Sequence, residues 1–345
     1  MKAGFIGLGN VGHQLAGSLL SAPEIELTVR DLDKALAQPF IDKGAGWADS
    51  PAELAKQCDV IITCLPSPSA SAEVLEGDGG VLEGLSPGKV WIEMSTTDGN
   101  EIQRIDKEVR RRGAETVEAP VSGGCHRAAT GNIAILAAGS RSAFEKVMPV
   151  LAEMGKDILH TGELGSASIL KVITNYLAFA NLVSVGEALT VAEKSGIDLG
   201  LAYEAIRVSS GNSFVHETES QVILNGSYDI NFTMDLVLKD LGLFQAVADA
   251  QAIPLEVSPL LEQIFRDGQR RYGARAWSSM IVKRLEDACA LELRAPGFPE
   301  ELVDDQPRVQ GREIKWNEST AKRSKNSRSK DGLGRQLRST SYVRL

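Results

Sequence analysis

Gly7, Gly9 and Gly12 stand in the spacing G-x-G-x-x-G, directly after the apolar run Lys2-Ala3-Gly4-Phe5-Ile6 and ahead of a helix-like segment, Val11–Ser21. Between a strand and a helix, that spacing suits a dinucleotide. The first glycine permits the tight turn, the second lets backbone approach a pyrophosphate, and the third lets helix and strand pack closely. Leu8, Asn10 and Val11 complete the loop, and the helix N-terminus offers unpaired N–H groups and partial positive charge to the phosphates. Asp31 ends the next apolar run, 19 residues beyond Gly12, where an acid bonds the adenosine ribose hydroxyls. An acid there repels a 2′-phosphate, so NAD is expected rather than NADP. Arg30 is adjacent, but strand alternation sends its side chain to the opposite face.

Other reactive residue types are scattered. Cys58, Cys64, Cys125 and Cys289 form no C-x-x-C pair, and His13, His126, His160 and His216 show no ligand spacing, so no metal site is expected. The cysteines read as reduced thiols of a reducing compartment. The chain opens on the glycine-loop strand itself, which reads as having no signal peptide and as cytoplasmic. The most apolar stretch, Val172 to Gly186, has 15 residues between charges, short of the roughly 18–20 that span a bilayer.

The 345 residues carry a net charge of −9, unevenly spread. Residues 321–345 hold eight Lys/Arg against one acid, which leaves 29 basic and 45 acidic residues before them. An acidic body with a basic end does not make a general nucleic-acid footprint.

Strand-like runs (Ala3–Ile6, Glu26–Arg30, Val60–Cys64, Val90–Glu93, Thr116–Glu118, Ile133–Ala137) alternate with helix-like segments through the first half. That alternation predicts an α/β Rossmann-type domain, a parallel sheet with helices on both faces, over residues 1–162. The second half, residues 163–295, reads as all-α and begins with one long helix over Ala167–Lys194. Nearly all of that helix is apolar, so it belongs between domains or against a second copy in a homodimer or tetramer. Further helices are expected at Leu199–Ser209, Phe232–Ala250, Pro259–Tyr272 and Ser278–Leu293. Residues 296–345, broken by prolines and ending in a Ser/Lys/Arg-rich run, read as disordered.

Six segments then occur together in order: GFIGLGNVG, CLP at Cys64–Pro66, MSTT at Met94–Thr97, APVSGG at Ala119–Gly124, GELGSASILKVITN ending at Asn175, and FTMDLVLKDL at Phe232–Leu241. The chain thereby resembles the β-hydroxyacid dehydrogenase family over roughly residues 1–294. The resemblance implies an NAD-dependent oxidoreductase that moves hydride between nicotinamide and a small 3-hydroxy acid. It implies roles for particular residues. Leu65 and Pro66 line the cofactor cleft, and Thr96 contacts the nicotinamide ribose region. Ser122, Gly123 and Gly124 form a substrate loop, where two glycines and a hydroxyl suit a carboxylate.

Lys171 and Asn175, four apart on one helix face, become the catalytic pair. The lysine exchanges the hydroxyl proton once its pKa falls toward neutrality, and Asn175 orients it. Lys239 reaches the cofactor or cleft and Asp240 holds it, or the two form an ordinary surface ion pair. His126 and Arg127 replace the small residues expected after the glycines. Arg127 then either meets a second polar group on the substrate or is a solvated loop arginine. Thr174 occupies a position where the family usually has Asn. A related imine or carbonyl reductase, and a catalytically silent NAD-binding protein with a nucleic-acid-associated tail, remain the alternatives.

Overall fold

In a computed structural model, which describes residues 1–316, the β-branched runs become a parallel sheet. Its strands are β1 (Lys2–Ile6), β2 (Glu26–Arg30), β3 (Gly46–Trp47), β4 (Val60–Thr63), β5 (Val90–Glu93) and β6 (Glu115–Glu118). Their order is β3-β2-β1-β4-β5-β6, with every pair parallel. The order reverses between β1 and β4, which opens a crevice at the strands' carboxyl ends.

The intervening helices are α1 (Asn10–Leu20), α2 (Lys34–Ile41), α3 (Pro51–Gln57), α4 (Pro68–Glu76), α5 (Val81–Gly84) and α6 (Gly99–Arg111). Ser50 and Ser67 cap α3 and α4 by accepting from the Glu53 and Ala70 amides, and each helix opens on proline. A proline there loses no helical hydrogen bond. Phe5, Leu15, Val29, Val60 and Ile92 fill the core on one side of the sheet, while Leu54, Ile61, Trp91 and Ile102 fill the other.

A second sheet corrects the expectation of one. It holds β7 (Val121–Ser122), β8 (Ala134–Ala137), β9 (Asp157–His160) and β10 (Arg312–Glu313), in the order β10-β9-β8-β7. β7 runs antiparallel to β8, and the other pairs are parallel. Helices α7 (Cys125–Thr130) and α8 (Arg141–Met154) connect its strands. Two of these strands have only two residues, too few for alternation to register, and β9 is bounded by Asp157 and His160.

The remainder of the fold is helical: α9 (Ser166–Lys194), α10 (Leu199–Arg207), α11 (Phe214–Asn225), α12 (Met234–Ala250) and α13 (Val257–Tyr272), then a 3-10 turn at Ser278–Val282 and α14 (Lys283–Cys289). The helix expected over Ser278–Leu293 therefore stops early. The buried Glu286 carboxylate takes the Leu293 amide at 2.8 Å and the Arg294 guanidinium at 2.9 Å, pulling the chain out of helical register. Among the described residues α9 alone is long and apolar enough to cross a membrane, a wider apolar window than the 15 residues counted between charges. It is a core helix here: Phe179, Leu182, Val185 and Leu189 pack with Tyr203, Val215, Val237, Phe265 and Val282.

Residues 296–313 are ordered, contrary to the compositional expectation. Residues 1–313 form one compact unit, a second beginning at Ile314. Phe298 packs edge-on against Tyr203, Asp304 accepts from Asn132 at 2.7 Å and from Thr130, and Arg141 clamps Glu313 at 2.6 and 2.8 Å. Charge pairs and backbone pairing hold this segment, and a rule based on apolar content does not weigh those. The basic run 321–345 lies outside the described residues.

Glu219, half-buried, has a carboxylate oxygen that finds no partner among the described residues. Glu219 in α11 seals its Oε2 from solvent without a hydrogen bond, and burial pushes its carboxyl up to about 8. An unfolded glutamate titrates near ~4.3, so the folded state holds the extra proton between there and about 8, and stability falls as pH rises through that window. Glu219→Gln is therefore expected to raise Tm at pH 8.5 by clearly more than at pH 5. Equal shifts at both values in thermal melts would refute the assignment.

Candidate active site

Gly7 turns the chain out of β1 at φ +99°, and a β-carbon there would stand 2.3 Å from the Cys64 carbonyl oxygen. At Gly12 a β-carbon would lie 2.1 Å from the Gly7 carbonyl oxygen. Both positions admit glycine alone. Gly9 faces open space within 4 Å, and no side chain caps the start of α1, where Asn10, Val11 and Gly12 present their amides. Those features fit a pyrophosphate: backbone can approach it and unclaimed donors point outward.

Asp31 at the end of β2 is fixed by two amides, Leu8 at 2.6 Å and Asp33 at 3.0 Å. Arg30 turns away, its guanidinium carbon 5.4 Å from the Trp47 ring centre and its Nη1 donating to the Asp31 carbonyl oxygen at 2.6 Å. Leu65 packs beside Gly7, and its amide donates to the Ser95 hydroxyl at 2.7 Å, joining the ends of β4 and β5. Pro66 is exposed beyond it. From the helical half, the Asn231 carbonyl accepts from Asn10 Nδ2 at 3.4 Å, so a loop of that half reaches the glycine turn.

Lys171, Asn175 and Asp240 are all buried, at 8%, 9% and 1% exposure. Lys171 Nζ donates to Asn175 Oδ1 at 2.7 Å, and Asn175 Nδ2 donates to Asp240 Oδ2 at 2.6 Å. Asp240 Oδ1 pairs with Lys239 Nζ at 2.8 Å by charge, and Lys239 Nζ donates to the Thr96 carbonyl oxygen at 2.9 Å. One polar chain thus runs from α9 through α12 to the end of β5. It reaches Thr96 through its backbone. Burial pulls Lys171 down to about 8, Asp240 opposing and Lys239 reinforcing the shift. Thr174, where the family usually has Asn, turns its hydroxyl back to the Lys171 carbonyl at 2.8 Å and leaves this chain intact.

Ser122 ends β7, and Gly123 and Gly124 follow at φ +129° and +86°, leading directly into α7. The first turn of α9 is seated beside this second sheet, with Ala167 packed against Leu136 and Ala138. Arg127 lies over Phe214, its guanidinium carbon 4.4 Å from the ring centre.

Three participants are not evident from sequence reasoning. Glu118, buried at the end of β6, receives the amides of Gly165, Ala167 and Ser168 and the Ser168 hydroxyl, and so caps α9. Glu93 accepts the Ser95 amide at 2.8 Å, shaping the turn before Thr96. Phe214 backs Arg127. The available signal was an acid ending each of β5 and β6, paired in register, where ordinary central strands stay apolar.

Residues 2–162 match the family model for the NAD-binding domain of 6-phosphogluconate dehydrogenase, and residues 165–285 match that for the NAD-binding region of NADP-dependent 3-hydroxyisobutyrate dehydrogenase. The chain is 34% identical over 284 residues to 2-(hydroxymethyl)glutarate dehydrogenase of Eubacterium barkeri, covering 82% of this chain and 94% of that one. It is 33% identical over 270 residues to rat (Rattus norvegicus) mitochondrial 3-hydroxyisobutyrate dehydrogenase, covering 76% and 80%. The crystal structure of 3-hydroxyisobutyrate dehydrogenase from Salmonella typhimurium superposes with a TM-score of 0.76 at 28% identity, over 82% of this chain and 99% of that one. Glycine turn, buried lysine chain and these likenesses together make this chain a member of the β-hydroxyacid dehydrogenase family, an NAD(P)-dependent hydroxyacid dehydrogenase.

Proposed function

We propose that the protein oxidises the hydroxyl of a small 3-hydroxy acid to the aldehyde, or runs the reverse reduction, with NAD as partner and Lys171 as general acid and base. The observation that carries this reading is the buried Lys171 amine, held on Asn175 with its pKa near 8. In oxidation the neutral amine takes the hydroxyl proton; in reduction the ammonium returns it to the carbonyl oxygen. Asn175, itself fixed by Asp240, sets the direction in which the amine points. Ser122 and the Gly123 and Gly124 amides take the substrate carboxylate. Gly7 to Gly12 and the start of α1 hold the pyrophosphate, and Leu65, Pro66 and Thr96 border the nicotinamide end. When bound, the nicotinamide accepts or supplies the hydride.

Residues 1–162 serve the cofactor, and 163–295 complete the substrate cleft. Ile169, Leu170, Leu177 and Val191 leave α9 with an exposed apolar stripe that suits a homodimer or tetramer.

NAD is favoured over NADP because Asp31 stands fixed at the ribose position while Arg30 is held against Trp47. The test is NADH formation from a panel of small hydroxy acids. Turnover with NAD is expected to exceed that with NADP by roughly tenfold or more, the worth of about 1.4 kcal/mol of repulsion. Asp31→Ser is expected to narrow that ratio mainly through the KM for NADP. An unchanged ratio refutes the role of Asp31, and no turnover with either nucleotide refutes the function.

A further inference from the structure

Arg127 is placed unlike a solvated loop arginine. It follows the Ser122–Gly124 turn by one turn of α7, and its chain folds back over that turn: a β-carbon on Gly123 would stand 3.3 Å from Arg127 Cδ. The guanidinium lies on the ring of Phe214, the first residue of α11. Arg127 therefore joins the substrate loop of the α/β half to a wall supplied by the helical half.

Stacking uses the face of a guanidinium and leaves its edge, with five N–H donors, free. Among the described residues that edge has no hydrogen bond or ion pair. Asp304 feels the Arg127 charge, which helps lower its carboxyl, but its oxygens take their hydrogen bonds from Thr130, Asn132 and the Gln306 amide. A half-buried, aromatic-backed cation with an open planar edge is matched by a planar anion, bound by two parallel hydrogen bonds. Lys171 sits on α9, whose first turn rests on the same second sheet that carries the Ser122 turn, so amine and guanidinium border that turn from different helices.

We propose that the substrate is a small hydroxy acid carrying a second carboxylate, and that Arg127, backed by Phe214, grips this second group edge-on. The proposal rests on the reading that Ser122, Gly123 and Gly124 hold the first carboxylate. It narrows the substrate class from 3-hydroxy acids in general to dicarboxylates whose second acid sits on an arm branching from C2, beside the terminal carbinol.

The test compares 3-hydroxy-2-methylpropanoate with analogues whose methyl is extended to a –CH2COO⁻ or –CH2CH2COO⁻ arm, and with the corresponding arm amides. NADH formation is followed in wild type, Arg127→Ala and Arg127→Lys, with NAD titrations confirming that each variant still binds cofactor. For wild type, kcat/KM on one dicarboxylate is expected to exceed that on the monocarboxylate and the amide by roughly thirtyfold, the size of a charged hydrogen-bonded contact. Arg127→Ala is expected to collapse that ratio, and Arg127→Lys, which keeps charge but loses the fork, to fall between. A wild type that turns over the monocarboxylate at least as well, or a ratio that survives Arg127→Ala, overturns the proposal while leaving the dehydrogenase reading in place. No turnover of any compound overturns both.

Discussion

Replacing Lys171 by Ala is expected to lower kcat for hydroxy-acid oxidation by roughly 100-fold to 10,000-fold, the range of a lost general base, while NAD binding remains intact. Lys171→Arg should fare little better. A guanidinium stays protonated at any working pH and cannot accept the hydroxyl proton. The pH dependence gives a second, independent readout. Oxidation requires the neutral amine, so kcat/KM for the alcohol should climb about tenfold per pH unit and level off above about 8. Reduction requires the ammonium, so its kcat/KM should be level below about 8 and fall about tenfold per pH unit above it. Burial sets this inflection, with Asp240 opposing it and Lys239 reinforcing it. A loss below tenfold in Lys171→Ala, with its pH profile unchanged, would remove the lysine from the chemistry.

The glycine loop and the Lys171–Asn175 pair were readable from sequence because their spacing is local. Six residues at a strand–helix junction, or two residues one helical turn apart, declare their geometry without knowledge of the rest of the fold. The contacts that make them work are long-range. Asn175 and Asp240 are 65 positions apart, and Lys239 meets Thr96 across 143, so no window along the chain contains either pair. Arg127 shows the same limit: its departure from small residues could be seen, whereas its ring partner Phe214 is fixed only when the helical half folds against the substrate loop. The order of 296–313 is hidden from sequence for a different reason. Its composition blends into that of the basic run behind it, and its anchors are single charged and polar contacts such as Asp304 with Asn132.

Helix α9 begins without a capping side chain of its own, at Gly165 with φ +99°. Its first amides are instead taken by Glu118 from the end of β6, with Ala167 and Ser168 at 3.1 and 3.2 Å. Burial pushes the Glu118 carboxyl up, while the Ser168 hydroxyl and the three amides pull against that. The helix start, with its partial positive charge, is a favourable place for the ionised form. The helix so anchored carries Lys171 in its second turn. Glu118→Ala leaves buried amides unpaired, at a cost of about 3 kcal/mol if two lose their partner, or a Tm lowered by roughly 5 °C or more.

If Glu118 positions the amine, more than stability should change. A loosened first turn admits water to Lys171, and the inflection of the oxidation profile should move from about 8 toward the ordinary lysine value near ~10.4, with kcat at pH 7.5 falling at least tenfold. Glu118→Gln keeps one acceptor and should lie between wild type and Glu118→Ala in both Tm and inflection. A lowered Tm with the inflection still near 8 would make Glu118 a structural cap alone. A shifted inflection would show that the strand-end carboxylate sets how deeply the catalytic amine is buried.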